Sequence, residues 1–256
     1  MFKYCSINDI GVLYKVNDDK FMINDVIIEE GNYKGETKDY ISAILCDGVG
    51  GEFEGNRAAL ETLQNLKSIV KENLTKEEVI EKIKETNTLV RKIQNDEDKK
   101  NALKTTLVGI YSNNDIFIYY NLGDSRAYRY RNNYFQRLTR DDSKVQNMID
   151  EGLLTEEEAM IYPERNIINN CIGYSDECKI NIHSSIGLIP NDIIFLCSDG
   201  VTDVIDDNTL KSIFDKKNSI EETLKEIHSL SIKNGSKDNI SLILIKKELK
   251  TVNKII

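Results

Sequence analysis

The chain reads as an α+β protein in which antiparallel β-sheets are covered by helices in a layered sandwich, and three observations predict it. Apolar runs of strand length come as adjacent hairpins rather than alternating singly with helices, which is the pattern of antiparallel pairing. Two long stretches of helical periodicity follow one another with no strand between them, so they form a pair that can lie across one sheet face. No Pro-, Gly- or Ser-rich linker divides the 256 residues, and a single domain over 1–256 is expected, long enough to bury a large core.

Taken in order, strands are expected at about residues 10 to 16, 20 to 29 and 39 to 46, with GNYKGETKD as a polar hairpin loop between the last two. A helix begins near Gly55, where Ala59, Leu63, Leu66 and Val70 fall at helical spacing. Thr75 with Glu78 forms a capping box that opens a second helix, and Val79, Ile83, Thr86, Val90 and Ile93 carry its apolar stripe. The Lys/Glu-rich stretch 71–100 is a solvated face with intrahelical pairs. Strands resume as hairpins turned at Asn113-Asn114-Asp115 and at Asn132-Asn133. Residues 140 to 175 read as short helices and loops. The chain then gives a strand at 192 to 197, helices near 207 to 215 and 218 to 232, and a strand at 239 to 246.

A formal charge of −9, from 43 acidic and 34 basic residues with no basic run, argues against a nucleic-acid or anionic-membrane surface. Five Cys without a CxxC pair favour reduced thiols and a cytoplasmic location. No apolar run approaches the roughly 18 to 20 residues of a membrane span.

The chemistry is concentrated in acidic residues at strand ends: Asp47, Asp124, Asp199 and Asp238, with Asp18 and Asp19. Four of these places put an apolar run against an Asp flanked by Gly or Asn, which lets backbone approach a ligand. Two carboxylates about 4 Å apart repel by roughly 4 kcal/mol at an effective dielectric near 20, so such a cluster requires divalent cations at neutral pH. An oxygen-only donor set suits Mg²⁺ and Mn²⁺. Taken singly, Asp-Gly after an apolar run is more often a turn than a ligand; recurrence at this many positions carries the metal reading. Ser125 has no nucleophile elbow and reads as a structural hydrogen-bonder. Cys46 and Cys197 pack as small apolar groups, and His183 and His228 take surface or core roles.

The ordered motifs NDD, DGVGG, GNRAA, KTTL, GDSRAY, LTRDDS, SDGVTD and KDN resemble the metal-dependent type 2C (PPM) serine/threonine protein phosphatases, bacterial branch, from about residue 8 to 246. The resemblance implies a four-layer α-β-β-α sandwich, with two central antiparallel sheets flanked by helix pairs. It implies two Mn²⁺ or Mg²⁺ ions and a weaker third, and direct in-line hydrolysis of phosphoserine and phosphothreonine by a metal-bridged hydroxide. By the same resemblance Asp47 bridges both ions with the Gly48 carbonyl beside it. Asp199 and Asp238 complete the first site, and these three carboxylates are the catalytic set. Asp19 serves the second ion mostly through water, and Asp124 shares the third with Asp199. Asp18 sits where many relatives have Glu or Gln.

Two positions depart from the family pattern. Relatives carry a phosphate-gripping Arg three residues before the Asn of the first motif, where this chain has Tyr14. Lys15 is adjacent and would face away if the segment were a strand; both are candidates for substrate phosphate. Asp142 stands where relatives read His. The stretch 142–173 corresponds to the flap beside the cleft and is expected to influence substrate choice. Expected partners are phosphorylated proteins, the substrates of a bacterial serine/threonine kinase, acted on by a monomer that binds neither nucleic acid nor membrane. The alternative is a catalytically weak phosphatase-like module that binds phosphoproteins or a kinase, favoured by Tyr14; a third is a metal-dependent enzyme for another phosphate ester.

Overall fold

The computed structural model describes residues 1–49, 54–99 and 102–249. Fourteen strands occur among the described residues: β1 (Phe2–Asp9), β2 (Lys20–Ile23), β3 (Val26–Ile28), β4 (Gly31–Thr37), β5 (Ile41–Cys46), β6 (Gly48–Val49), β7 (Lys104–Thr105), β8 (Leu107–Ser112), β9 (Ile116–Leu122), β10 (Arg126–Arg131), β11 (Tyr134–Arg137), β12 (Asn181–Ile186), β13 (Ile193–Cys197) and β14 (Ile240–Lys247). The helices are α1 (Glu54–Leu66), α2 (Lys76–Asp96), α3 (Lys144–Asp150), α4 (Glu156–Met160), α5 (Asp199–Thr202), α6 (Asp207–Phe214) and α7 (Ile220–Lys233). There are two six-stranded antiparallel sheets, ordered β11-β10-β13-β14-β1-β4 and β12-β9-β8-β5-β2-β3, and a separate small pair β6-β7.

Strand alternation builds the layers. On β5, Ile41, Ala43 and Leu45 meet Ile243 and Ile245 of β14 in the core between the sheets. The other face of β5 sends Ile44 and Cys46 under α1 and α2, against Ala59, Leu63, Val79 and Ile83. The other face of β14 sends Leu242 and Leu244 under α6 and α7, against Leu210, Phe214 and Ile227. The result is the expected α-β-β-α sandwich. The Thr75/Glu78 capping box and both asparagine-turned hairpins form as read, with Asn132 and Asn133 at positive φ of 52° and 64°.

Four segments differ from the sequence reading. The strand expected at 20 to 29 is a hairpin, β2 and β3, turned at Asn24 with φ 52°. Residues 10 to 16 are a loop, and the strand is β1 just before it, whose apolar pattern is broken by Ser6 and Asn8, both buried polar groups. GNYKGETKD is not a loop: Gly31–Thr37 pairs with β1 as the edge strand β4. The edge strand β12 is likewise absent from the sequence reading. Polar, largely exposed edge strands carry almost no apolar alternation, and their ladders are supplied by the neighbouring strand. Val70 lies beyond the end of α1. No described helix is long and apolar enough to cross a membrane.

Candidate active site

The strand ends that carry the acidic residues converge on one rim of the sandwich. In the second sheet Lys20 pairs with Cys46, so Asp19 and Asp47 leave β2 and β5 side by side. Leu107 pairs with Leu122, bringing Thr106 and Asp124 to the same rim. In the first sheet Cys197 pairs with Leu242, which places Asp199 beside the entry to β14 at Asp238. A cleft of about 200 Å³ opens there, lined by Asp18, Asp47, Asp124, Asp199 and Asp238 with Tyr14.

A buried polar seam holds the two sheets in register at this rim. Asn239 accepts from the Asp18 amide (2.8 Å) and donates to the Ile10 carbonyl (2.8 Å). Asn8 accepts from Asn17 (2.7 Å) and from the Ser241 hydroxyl (2.8 Å), and donates to the Asp19 carbonyl (3.1 Å). Asp47 is pinned through its backbone: its amide donates to Thr106 Oγ1 (3.0 Å), and its carbonyl accepts from the Thr106 amide and Thr105 Oγ1 (both 2.8 Å). Gly48 is required because a Cβ would lie 2.3 Å from the Gly55 carbonyl carbon at the start of α1.

Electrostatically the cluster is under load. Burial, and then the neighbouring carboxylates, push Asp47 and Asp199 well above the usual carboxylate range. Asp19 and Asp124 rise to about 7, chiefly through burial, and Asp238 and Asp18 rise for the same first reason. Tyr14 is also raised, with Asp238 as the largest cause. Among the described residues, Asp19 Oδ2 and Asp199 Oδ1 are buried without a hydrogen-bond partner. Ser198 and Ser241 lie next to Asp19, but their hydroxyls donate to the Asn239 carbonyl and to Asn8. Orphaned carboxylate oxygens among mutually repelling acids are what a cation would satisfy. No three acidic, His or Cys side chains among the described residues form a ready-made ligand cage.

Asp18 opens on the cleft while its Oδ1 accepts from the Asn56 amide. Asp19 lies beneath, 1% exposed. Ser125 is the expected structural group, 2.7 Å from Thr106 Oγ1. His228 pairs with Asp9 (2.7 Å), and the His183 ring stacks on Tyr119, both away from the cleft. Lys15 is exposed and lies in a loop, so the opposite-face argument made for a strand does not apply. Gly50 and Gly51 of the Asp47 motif lie outside the described residues. Arg126 of the GDSR motif is held by Asp141, with Nη2 2.8 Å from Oδ2. Asp142 accepts from Asn170 (2.7 Å) and Asn181 (3.0 Å), and so ties the two ends of the flap to the Gly123 turn. The sequence reading assigned no role to Asn8, Asn17 or Asn239; the signal was an amide side chain directly beside two of the acidic motifs, Asn17 before Asp18 and Asn239 after Asp238, and a polar Asn8 within the β1 run.

No protein-family model matches the chain. It is 31% identical over 234 residues to a Streptococcus pyogenes protein named as of the phosphatase 2C type, covering 89% of this chain and 93% of that one. The Staphylococcus aureus serine/threonine phosphatase Stp1 superposes with a TM-score of 0.85 at 27% identity, over 97% of this chain and 96% of that one. The catalytic domain of the serine/threonine phosphatase PstP, solved in complex with 2 manganese ions, shares the fold with a TM-score of 0.76 at 21% identity, over 96% and 99% of the two chains. The fold and the acidic rim thus define a phosphatase of the metal-dependent class. The chain belongs to the type 2C (PPM) serine/threonine protein phosphatases.

Proposed function

We propose that this chain acts as one catalytic unit that removes phosphate from phosphoserine and phosphothreonine in proteins, with Mn²⁺ or Mg²⁺ held by Asp47, the Gly48 carbonyl, Asp199 and Asp238. The observation that carries the reading is the convergence of five carboxylates on one cleft, all with raised pKa values and two oxygens of the cluster left without donors. The manganese in the PstP domain supports the choice of ion. Bound divalent ions supply an activated water and neutralise the phosphoryl oxygens. Asp18 offers the cleft-facing acidic group of the second position, and Asp19, buried below it with Oδ2 unpartnered, would serve the second ion mostly through water. Asp124, shared between the rim and the flap side, is the candidate for a weaker third ion.

The protein's own contribution is placement. The backbone bonds to Thr105 and Thr106 fix where the Asp47 carboxylate points, and the Asn239 clamp fixes Asp18 against Asp238. Tyr14 is protonated at neutral pH as any phenol is, and its acidic neighbours only raise its pKa further, so its hydroxyl can donate to a substrate phosphate. It stands in for a charged grip with a neutral one. Free cysteines throughout the fold accord with a reducing compartment, and we place the enzyme in the cytoplasm opposite a serine/threonine kinase. Phosphate release from a phosphothreonine peptide is expected with Mn²⁺ and should stop on chelation. No release under any divalent ion would overturn the reading in favour of a binding module.

A further inference from the structure

Three large side chains in a row stand in solvent, Val12 and Leu13 each 63% exposed and Tyr14 53% exposed, and the last of them lines the cleft. Their loop is not slack. Its two ends are clamped by the single side chain of Asn239, through the Ile10 carbonyl and the Asp18 amide. Gly11, at φ +75°, presses so closely on the chain at Asp238 that a Cβ would come 2.3 Å from that carbonyl oxygen, and its amide donates to Asp9 (2.9 Å). Asn56 donates to the Asn17 carbonyl (2.7 Å). An apolar tip held outward on a fixed base, instead of folding onto the core, is preorganised for contact.

Across the cleft, the flap contributes Asn166 and Ile168 to the lining, and Ile167 between them is 46% exposed. No Lys or Arg lines this cleft among the described residues, and neither Tyr14 nor Lys15 has a hydrogen-bond or ion-pair partner among them. The phosphate is therefore left to the divalent ions and to Tyr14, and the exposed apolar side chains around the cleft are free to add affinity for the polypeptide that carries it.

We infer that Val12, Leu13 and Tyr14 on one side and Ile167 on the other are the apolar banks of a groove for the residues flanking the phosphorylated one. The enzyme therefore selects phosphopeptides with an apolar side chain next to the phosphoserine or phosphothreonine. The inference rests on the phosphatase reading above and names the substrate class of the same site.

The test uses the full chain with Mn²⁺ on phosphothreonine peptides that differ only in having Leu, Asp or Lys beside the phosphorylated residue, and on free phosphothreonine. Wild type is expected to show roughly ten-fold higher kcat/KM for the Leu-flanked peptide, the scale of partly burying one or two apolar side chains. The double substitution Val12→Ser with Leu13→Ser should erase that preference while leaving turnover of free phosphothreonine unchanged, and Ile167→Ser should reduce it from the opposite bank. A flat wild-type profile, or an equal loss on peptides and on free phosphothreonine, overturns the groove while the phosphatase reading stands. Absence of turnover on every ester sinks the phosphatase reading and this inference with it.

Discussion

The acidic rim and the flap lie side by side and are built on opposite plans. The rim takes each carboxylate from the end of a buried strand and fixes it with bonds between distant parts of the chain, such as Asn239 to Asp18 and Thr106 to Asp47. The flap, 142–173, is built locally: α3 buries no residue, and α4 buries only Ala159. Its helices are held by their own caps, Ser143 for α3 and Thr155 with Glu158 for α4. Its two ends are anchored to the rest of the fold, by Asp142 at the start and by the backbone pairing of Ile172 with Thr105 at the end, with Arg165 bonded to Asp203 between them. The lesson is that charge strain is stored where the scaffold is stiff, and adaptability is left where few apolar contacts oppose motion.

The largest expected effect breaks the rim. Asp47→Asn should lower Mn²⁺-dependent turnover on the order of 10³-fold, since the carboxylates act as a unit. The same change should raise the melting temperature of the metal-free protein near neutral pH, because it removes a charge whose burial is unfavourable. Retained turnover would show that this residue is not at the reacting centre.

Next is Asn239→Ala, which strips two backbone groups of their partner at a position only 3% exposed. A loss of about 2–4 kcal/mol in denaturant unfolding is expected, with a raised KM for phosphopeptide because Tyr14 and Asp18 lose their reference. A stability change below about 0.5 kcal/mol would mean that the clamp is not what fixes the loop.

The third concerns pH. Asp19 and Asp124 are raised to about 7 in the fold, against about 3.9 in an unfolded chain, so between those values the native state binds more protons. Stability contributed by their protonation is present at low pH and lost as pH rises through about 7. The chelated protein should therefore melt lower at about pH 8 than at about pH 5, and Mn²⁺ should restore it at the higher pH. Equal melting temperatures with no response to Mn²⁺ would contradict the strain assigned to the rim.

The smallest effect belongs to the flap. Thr155→Ala removes the capping box of α4 and costs about 1 kcal/mol locally. Because so little of the flap is buried, that loss should appear as faster amide exchange across 155–161 while the global melting temperature moves by less than about 2 °C. A larger global shift would show the flap to be part of the cooperative core after all.

Several elements could be read before folding. The capping box at Thr75, the stripe Val79-Ile83-Thr86-Val90 and the Asn132-Asn133 turn form from neighbours in sequence, and their patterns report them directly. The acidic motifs were equally legible, because a strand end with Asp and Gly or Asn is a local signature. β1, β4 and β12 were not legible: β1 hides two buried polar residues in a central strand, and the other two are polar edges whose ladders come from elsewhere.

The chain by itself therefore determined the class of fold, the helix pair, the hairpins and which acidic residues stand at strand ends, since each depends on periodicity or on residues a few positions apart. Only the tertiary structure decided that Asp18 faces the cleft while Asp19 lies under it, and that Arg126 is occupied by Asp141. It also decided that one asparagine at 239 holds a loop more than 200 positions earlier in the chain. The physical reason is that side-chain direction at a rim is set by strand register and by hydrogen bonds between segments remote in sequence, and neither leaves a local pattern to read.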